Sequence, residues 1–185
     1  MEISFTSLLT PVTSNEFAKR TASVNRDGVV DYPWSIASSR VAKDVITYRI
    51  CDCSACLITD GEKALLKHLL PANEDNHNFK KVFKFISDNM DLNNPNLQAV
   101  LVGSKPTAPS RDIFNKFLEL LNGLHIPTTI LKDGKGPTHI AYRTCTDEVL
   151  ISNPKIDQLL NKKANNRDAI YNGFEYVKIS NCDYI

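Results

Sequence analysis

Short segments of alternating or continuous apolar residues recur along the chain and predict several β-strands. Segment 41–50 (VAKDVITYRI) is rich in β-branched residues and partly alternating, and 53–59 (CSACLIT) continues the pattern after a break at 51–52. We therefore predict a strand, a kink and a second strand. The Asp-Gly pair at 60–61 is a tight-turn signal, and 62–71 (EKALLKHLLP) fits either a returning strand or a short helix.

Other segments have a helical period. Between 78 and 90, apolar residues recur every three or four positions, which predicts an amphipathic helix with a lysine-bearing outer face. A second helix is predicted over 109–124, where it ends at an Asn-Gly pair, and a third over 155–164. Further strands are predicted at 97–103, 127–133, 138–145, 148–152 and 174–180.

The order of these elements indicates the fold class. Strands that alternate with helices, with hairpins near the end, predict an α/β (α+β) fold with a mixed sheet and helices packed on it. A length of 185 residues suits one sizeable core and is short for two domains. Residues 1–40 are rich in Ser, Thr and Asn with weak periodicity, and we predict an irregular N-terminal extension there. Residues 41–185 are predicted to form a single α/β domain of catalytic type.

Composition and charge exclude some classes of function. Apolar residues make up 42% and charged residues 23% of the chain, which is ordinary for a folded globular protein. The net charge of +1 provides no field that attracts nucleic acid or an anionic membrane. No apolar run approaches the roughly 20 residues of a membrane span, and the N-terminus lacks the features of a signal peptide. We therefore expect a cytoplasmic protein with reduced thiols.

The cysteines are the first candidates for chemistry. The chain contains five, an odd number. Cys51, Cys53 and Cys56 lie too close together for an ordinary disulfide framework, which favours a reactive thiol or a metal site. Cys56, Cys145 and Cys182 have no local catalytic motif and are interpreted as core or surface thiols.

Cys53 and His68 are the best-placed pair. Cys53 lies seven residues before Asp60 and His68 eight residues after it, so a hairpin at that turn brings the two side by side. An imidazole there would lower the pKa of the thiol, whereas the charge of Asp52 would raise it. Backbone N–H groups at the 52–53 kink would bind an oxyanion. The simpler alternative is that Cys53 is a small buried hydrophobe.

A zinc site is a further alternative. Thiolates of the three clustered cysteines and the imidazole of His68 are ligands that zinc prefers. Structural zinc sites, however, usually take their cysteines as two separated pairs from glycine-containing turns, and these cysteines lie in strand-like sequence. We therefore predict no metal.

The motif around these residues resembles a known family. Thr47 lies six residues before Cys53, and an aspartate at position 60 and the sequence His-Leu-Leu-Pro at 68–71 follow. This arrangement is similar to that of the CheD family of bacterial chemoreceptor glutamine deamidases, which have the catalytic fold type of cytotoxic necrotizing factor toxins. The resemblance extends over about residues 44–152, including the order of the later elements. The family's Gly-Ser before the cysteine is Cys51-Asp52 here, and Cys51 stays an alternative nucleophile.

The resemblance implies an α/β/β/α sandwich that hydrolyses the side-chain amide of a glutamine in a protein substrate. Cys53 would be the nucleophile, His68 the base and then the acid, and Thr47 the residue that orients His68. Asp52 would contact the substrate, and neither metal nor organic cofactor is required. A transglutaminase or a protease would use the same residues, and a catalytically silent binding module or a zinc-stabilised interaction domain are the alternatives.

The start of the chain suggests a setting for this activity. Residues 1–40 and the C-terminal extension look unlike a compact chemotaxis enzyme. We hypothesise that the protein is a bacterial effector or toxin that reaches a host cell without a conventional signal peptide and deamidates a host protein there.

Overall fold

A computed structural model of the protein describes most of the chain. The described residues are 9–31, 34–38, 40, 43–71, 79–103, 107–132, 137–161 and 175–177. They form two mixed β-sheets and four helices, an α+β fold, which confirms the predicted fold class. The helices are α1 (Ser14–Thr21), α2 (Phe79–Asn89), α3 (Ala108–Gly123) and α4 (Pro154–Asn161). The strands are β1 (Leu9–Pro11), β2 (Trp34–Ser38), β3 (Val45–Ile50), β4 (Ser54–Thr59), β5 (Lys63–Leu69), β6 (Gln98–Gly103), β7 (Thr128–Lys132), β8 (Thr138–Arg143), β9 (Glu148–Ser152) and β10 (Glu175–Val177).

The strands divide between two sheets. A four-stranded sheet has the order β1-β9-β8-β3, and a six-stranded sheet has the order β10-β7-β6-β4-β5-β2. In each sheet one pair is parallel, β1 with β9 and β6 with β7, and the other pairs are antiparallel. The chain passes from one sheet to the other directly between β3 and β4.

Three apolar clusters define the layers. Alternation along β4 sends Leu57 into a core that lies between the two sheets and Ile58 into a core under α2 and α3. On the outer face of the four-stranded sheet, Phe17 of α1 packs with Ile46 and Leu150. The layers are therefore helix, sheet, sheet, helix. Because both faces of β4 are buried, its sequence is a continuous apolar run rather than an alternating one.

The N-terminal segment differs from the irregular extension predicted for residues 1–40. Over its described part, β1 pairs in parallel with β9, α1 packs on a sheet, and β2 pairs with β5. These elements are short, between three and eight residues, so packing against the sheets rather than intrinsic propensity stabilises them. The prediction of an irregular conformation is therefore wrong here, and residues 1–8 lie outside the described residues.

The structure resolves the ambiguity at 62–71, because 63–69 forms strand β5. The turn that precedes it is held by Asp60, whose carboxylate accepts the N–H groups of Glu62 and Lys63 at 3.0 and 2.7 Å. Gly61 has a φ of +91°, which L-residues rarely adopt. Within the described ranges, none of the helices combines the length and apolar character needed to cross a bilayer.

Candidate active site

Cys53 lies in the bend at 51–53 that joins the two sheets. The end of β3 is distorted before this bend: its register against β8 shifts between Thr47 and Ile50, and Arg49 has a φ of +52°. The chain thus turns sharply at the point where it leaves one sheet for the other. The half-buried side chain of Cys53 packs against the core between the sheets.

His68 contacts Thr47 across that core. His68 lies on β5 and is 8% exposed, and Thr47 lies on β3 and is fully buried. The distance from Thr47 Oγ1 to His68 Nδ1 is 2.7 Å. When Nδ1 carries the proton and donates a hydrogen bond to Thr47, Nε2 is the ring nitrogen that has a lone pair. The contact therefore fixes a residue of one sheet to a residue of the other.

The register between β4 and β5 differs from the predicted one. His68 is directly opposite Ala55 rather than Cys53, because the turn is centred between Gly61 and Glu62 rather than between Asp60 and Gly61. Cys53 precedes Ala55 by two residues and packs against the same core between the sheets as Ala55. The structure thus brings Thr47 and His68 into contact and places Cys53 against the core between the same two sheets.

The electrostatic environment favours neutral groups at this site. Burial raises the pKa of the Cys53 thiol from 9.0, and the charges of Asp52 and Cys51 raise it further. Burial lowers the pKa of His68 from 6.5, and the charge of Asp31 opposes that shift. Of the two opposing effects expected from the sequence, the raising effect of Asp52 is the one that acts on this thiol, and desolvation adds to it. The resting pair is a neutral thiol and a neutral imidazole.

Asp52 is exposed beside Cys53, and its backbone carbonyl makes a contact that was not predicted. The hydroxyl of Ser110, in the first turn of α3, donates a hydrogen bond to this carbonyl. Thr107 Oγ1 donates in turn to Ser110 Oγ at 2.9 Å. From sequence, Thr107 and Ser110 resemble a helix cap, but the Thr107 side chain makes no capping hydrogen bond. Asp31, which acts on His68, was also missed, because it lies in the segment interpreted as irregular.

The other cysteines have different surroundings. Cys56 is fully buried in the core under the helices, on the face of the six-stranded sheet that points away from His68. Burial raises the pKa of Cys56 to about 12. Cys51 is half-buried in the same bend as Cys53, and Cys145 is exposed. Cys182 lies outside the described residues. The three clustered cysteines do not converge with His68, and the described side chains include no group of three or more His, Cys, Asp or Glu that could hold a metal ion.

Comparison of the sequence with known proteins adds no relative, since no family model and no curated protein matches the chain.

Proposed function

We propose that the protein is a protein-glutamine deamidase, a cysteine amidohydrolase with Cys53 as nucleophile and His68 as base. The observation that carries this proposal is the 2.7 Å contact between Thr47 and His68. A buried threonine that orients an imidazole, on the same side of the sheet as a half-buried thiol, supports a nucleophile, a base and an orienting group in one constellation.

The neutral resting pair supports a mechanism in which proton transfer accompanies attack. The sulfur of Cys53 attacks the carboxamide carbon of a glutamine, and the thiol proton passes to Nε2 of His68. The carbon–nitrogen bond then breaks as His68 returns this proton to the leaving nitrogen, which departs as ammonia. Water, deprotonated by His68, cleaves the thioester, so glutamate is released and the thiol is regenerated. Protein groups and water supply every proton in this scheme.

The proposed substrate is a protein with an accessible glutamine. Because Cys53 is half-buried, a long side chain on an exposed loop suits it better than a main-chain amide. The exposed carboxylate of Asp52 is positioned to contact residues that flank the glutamine. Delivery from a bacterium into a host cell stays a prediction from the sequence.

The raised pKa of Cys53 favours a second candidate. A thiol that stays protonated and is never activated by His68 would leave a catalytically silent module that binds a partner through the same surface. This candidate predicts ordinary alkylation rates at Cys53.

The test is a search for glutamine-to-glutamate conversion in a cell extract. The purified protein is incubated with the extract, and converted sites are quantified by peptide mass spectrometry. We expect sites that convert with wild type and with Cys145→Ser but not with Cys53→Ser or His68→Ala. Cys51→Ser distinguishes the two candidate nucleophiles and is expected to keep the activity. A primary amine added to the extract shows whether the thioester is also transferred.

The proposal fails if no site depends on Cys53 and if iodoacetamide labels Cys53 no faster in wild type than in His68→Ala. That pair of results supports the silent binding module.

A further inference from the structure

The peptide between Asp52 and Cys53 is held from the side of α3. We infer that Ser110 is a positioning residue that aims the backbone N–H of Cys53 at the oxyanion formed during attack. This inference rests on the proposed function and extends it to the group that stabilises the tetrahedral intermediate.

The planarity of the peptide between Asp52 and Cys53 fixes the direction of its N–H group. A trans peptide is planar, so its C=O and N–H point in opposite directions. The Asp52 carbonyl points at Ser110, on the helix that covers the outer face of the six-stranded sheet. The N–H of Cys53 belongs to the same peptide and therefore points away from α3. The side chain of Cys53 and His68 lie on that opposite face.

The hydroxyl groups of Thr107 and Ser110 hold the Asp52 carbonyl in place through two consecutive hydrogen bonds. Ser110 is 2% exposed, so water does not replace its hydroxyl easily. Because Thr107 donates to Ser110 at 2.9 Å, the proton of the Ser110 hydroxyl is left to point at the Asp52 carbonyl. Loss of either hydroxyl frees the peptide to rotate, and the N–H then no longer has a fixed direction.

Acylation and alkylation of the same thiol separate this role from the thiol–imidazole pair. Attack on an ester passes through an oxyanion and needs the donor, whereas displacement of iodide from iodoacetamide forms no oxyanion. The experiment measures acetylation of Cys53 by p-nitrophenyl acetate and its alkylation by iodoacetamide. Both are read by peptide mass spectrometry on the full chain, and the ratio of the two rates is compared between variants.

We expect Ser110→Ala to lower the acetylation-to-alkylation ratio by about tenfold or more, since loss of a single oxyanion donor costs about 10²–10³ in rate. Thr107→Val is expected to lower the ratio less and in the same direction. If Ser110→Ala does not fold, Thr107→Val is the variant that tests the inference. Ser87→Ala is the matched control, because it removes a serine hydroxyl that bonds a helix carbonyl far from the bend.

The inference is overturned if both rates change in parallel or if the ratio stays at the wild-type value in the folded variants. A different result marks failure of the proposed function itself: in wild type, Cys53 would then react with both reagents no faster than the exposed Cys145.

Discussion

At the scale of single residues, burial acts on His68 and Cys53 in opposite directions. The lowered pKa of His68 means that its imidazole stays neutral, and able to accept a proton, at and somewhat below pH 6.5. We expect acetylation of Cys53 to keep more than half of its plateau rate at pH 6.5 and to lose it in more acidic buffer. Because the pKa of the Cys53 thiol is raised from 9.0, the thiol ionises only above that pH. The acetylation rate is expected to rise again there. A pH profile of Cys53 acetylation measures both limbs.

Two variants that each remove one charge test separately what sets the acidic fall (the acidic limb) and the alkaline rise (the alkaline limb) of this pH profile. Asp31→Asn removes the charge that raises the pKa of His68, so the acidic limb moves to lower pH. Asp52→Asn removes a charge that raises the pKa of Cys53, so the alkaline limb moves to lower pH. Asp88→Asn, on the exposed face of α2, is the control and moves neither. An acidic limb that survives in His68→Ala would mean that another group accepts the proton.

The residues of the site differ in how far sequence predicts them. The spacing of Thr47, Cys53 and His68 is visible in the sequence, and the structure brings Thr47 and His68 into contact. The exact register was not predictable, because it depends on where a four-residue turn is centred. Ser110 and Asp31 were not predictable either, since their roles come from contacts across 58 and about 37 positions of the chain. Such contacts leave no local pattern.

At the scale of elements, the hairpin of β4 and β5 determines where His68 lies. Gly61 in its turn has a φ of +91°, and a Cβ there would meet Asp147 at an ordinary 3.4 Å. The cost of Gly61→Ala is therefore in the backbone, and we expect a loss of about 1–2 kcal/mol in the free energy of unfolding. Urea denaturation measures it. The folded variant should keep the reactivity of Cys53, because the turn lies at the other end of the hairpin.

Gly123 provides the matched control for this prediction. It ends α3 without a positive φ, and a Cβ at this position meets nothing within 4 Å. Gly123→Ala is expected to stabilise the protein by about 0.4–1 kcal/mol, because it reduces the freedom of the unfolded chain. Equal effects of the two substitutions would contradict the backbone explanation.

Elements with strong patterns were predicted and elements with weak ones were not. The helix at α2 and the strand at β6 follow from periodicity and from a continuous apolar run. The residues of β5 have helical propensity, yet pairing on both sides with β4 and β2 makes them a strand. The short elements β1, α1 and β2 depend on partners far along the chain, so no local signal marks them.

At the scale of the whole molecule, the site lies where the two sheets meet. Thr47 belongs to the four-stranded sheet and His68 to the six-stranded one, so the core between the sheets sets their separation. The bend that contains Cys53 connects β3 of one sheet to β4 of the other. The geometry of the candidate site and the packing of the whole molecule are therefore coupled, and destabilisation of either sheet is expected to weaken the contact between Thr47 and His68.

The N-terminal segment is part of that packing, and Phe17 tests this. Phe17 on α1 is 2% exposed and packs on the outer face of the four-stranded sheet. We expect Phe17→Ala to lower the free energy of unfolding by about 3–5 kcal/mol, as is typical of a buried phenylalanine. Phe83→Ala is the control, since Phe83 also lies on a helix but is 46% exposed. Its substitution should change stability by no more than about 0.5 kcal/mol.

Urea denaturation of the two variants decides between two descriptions of the chain. If α1 is an integral layer of the fold, Phe17→Ala unfolds at much lower urea than Phe83→Ala and loses packing against β3. If the segment is a dispensable extension, the two variants unfold together. In the first case the conformation of Thr47 depends on α1, because Ile46, next to it on β3, belongs to the same buried cluster as Phe17. If Phe17→Ala loses acetylation of Cys53 at a lower urea concentration than it loses folded structure, the layer formed by α1 influences the candidate site.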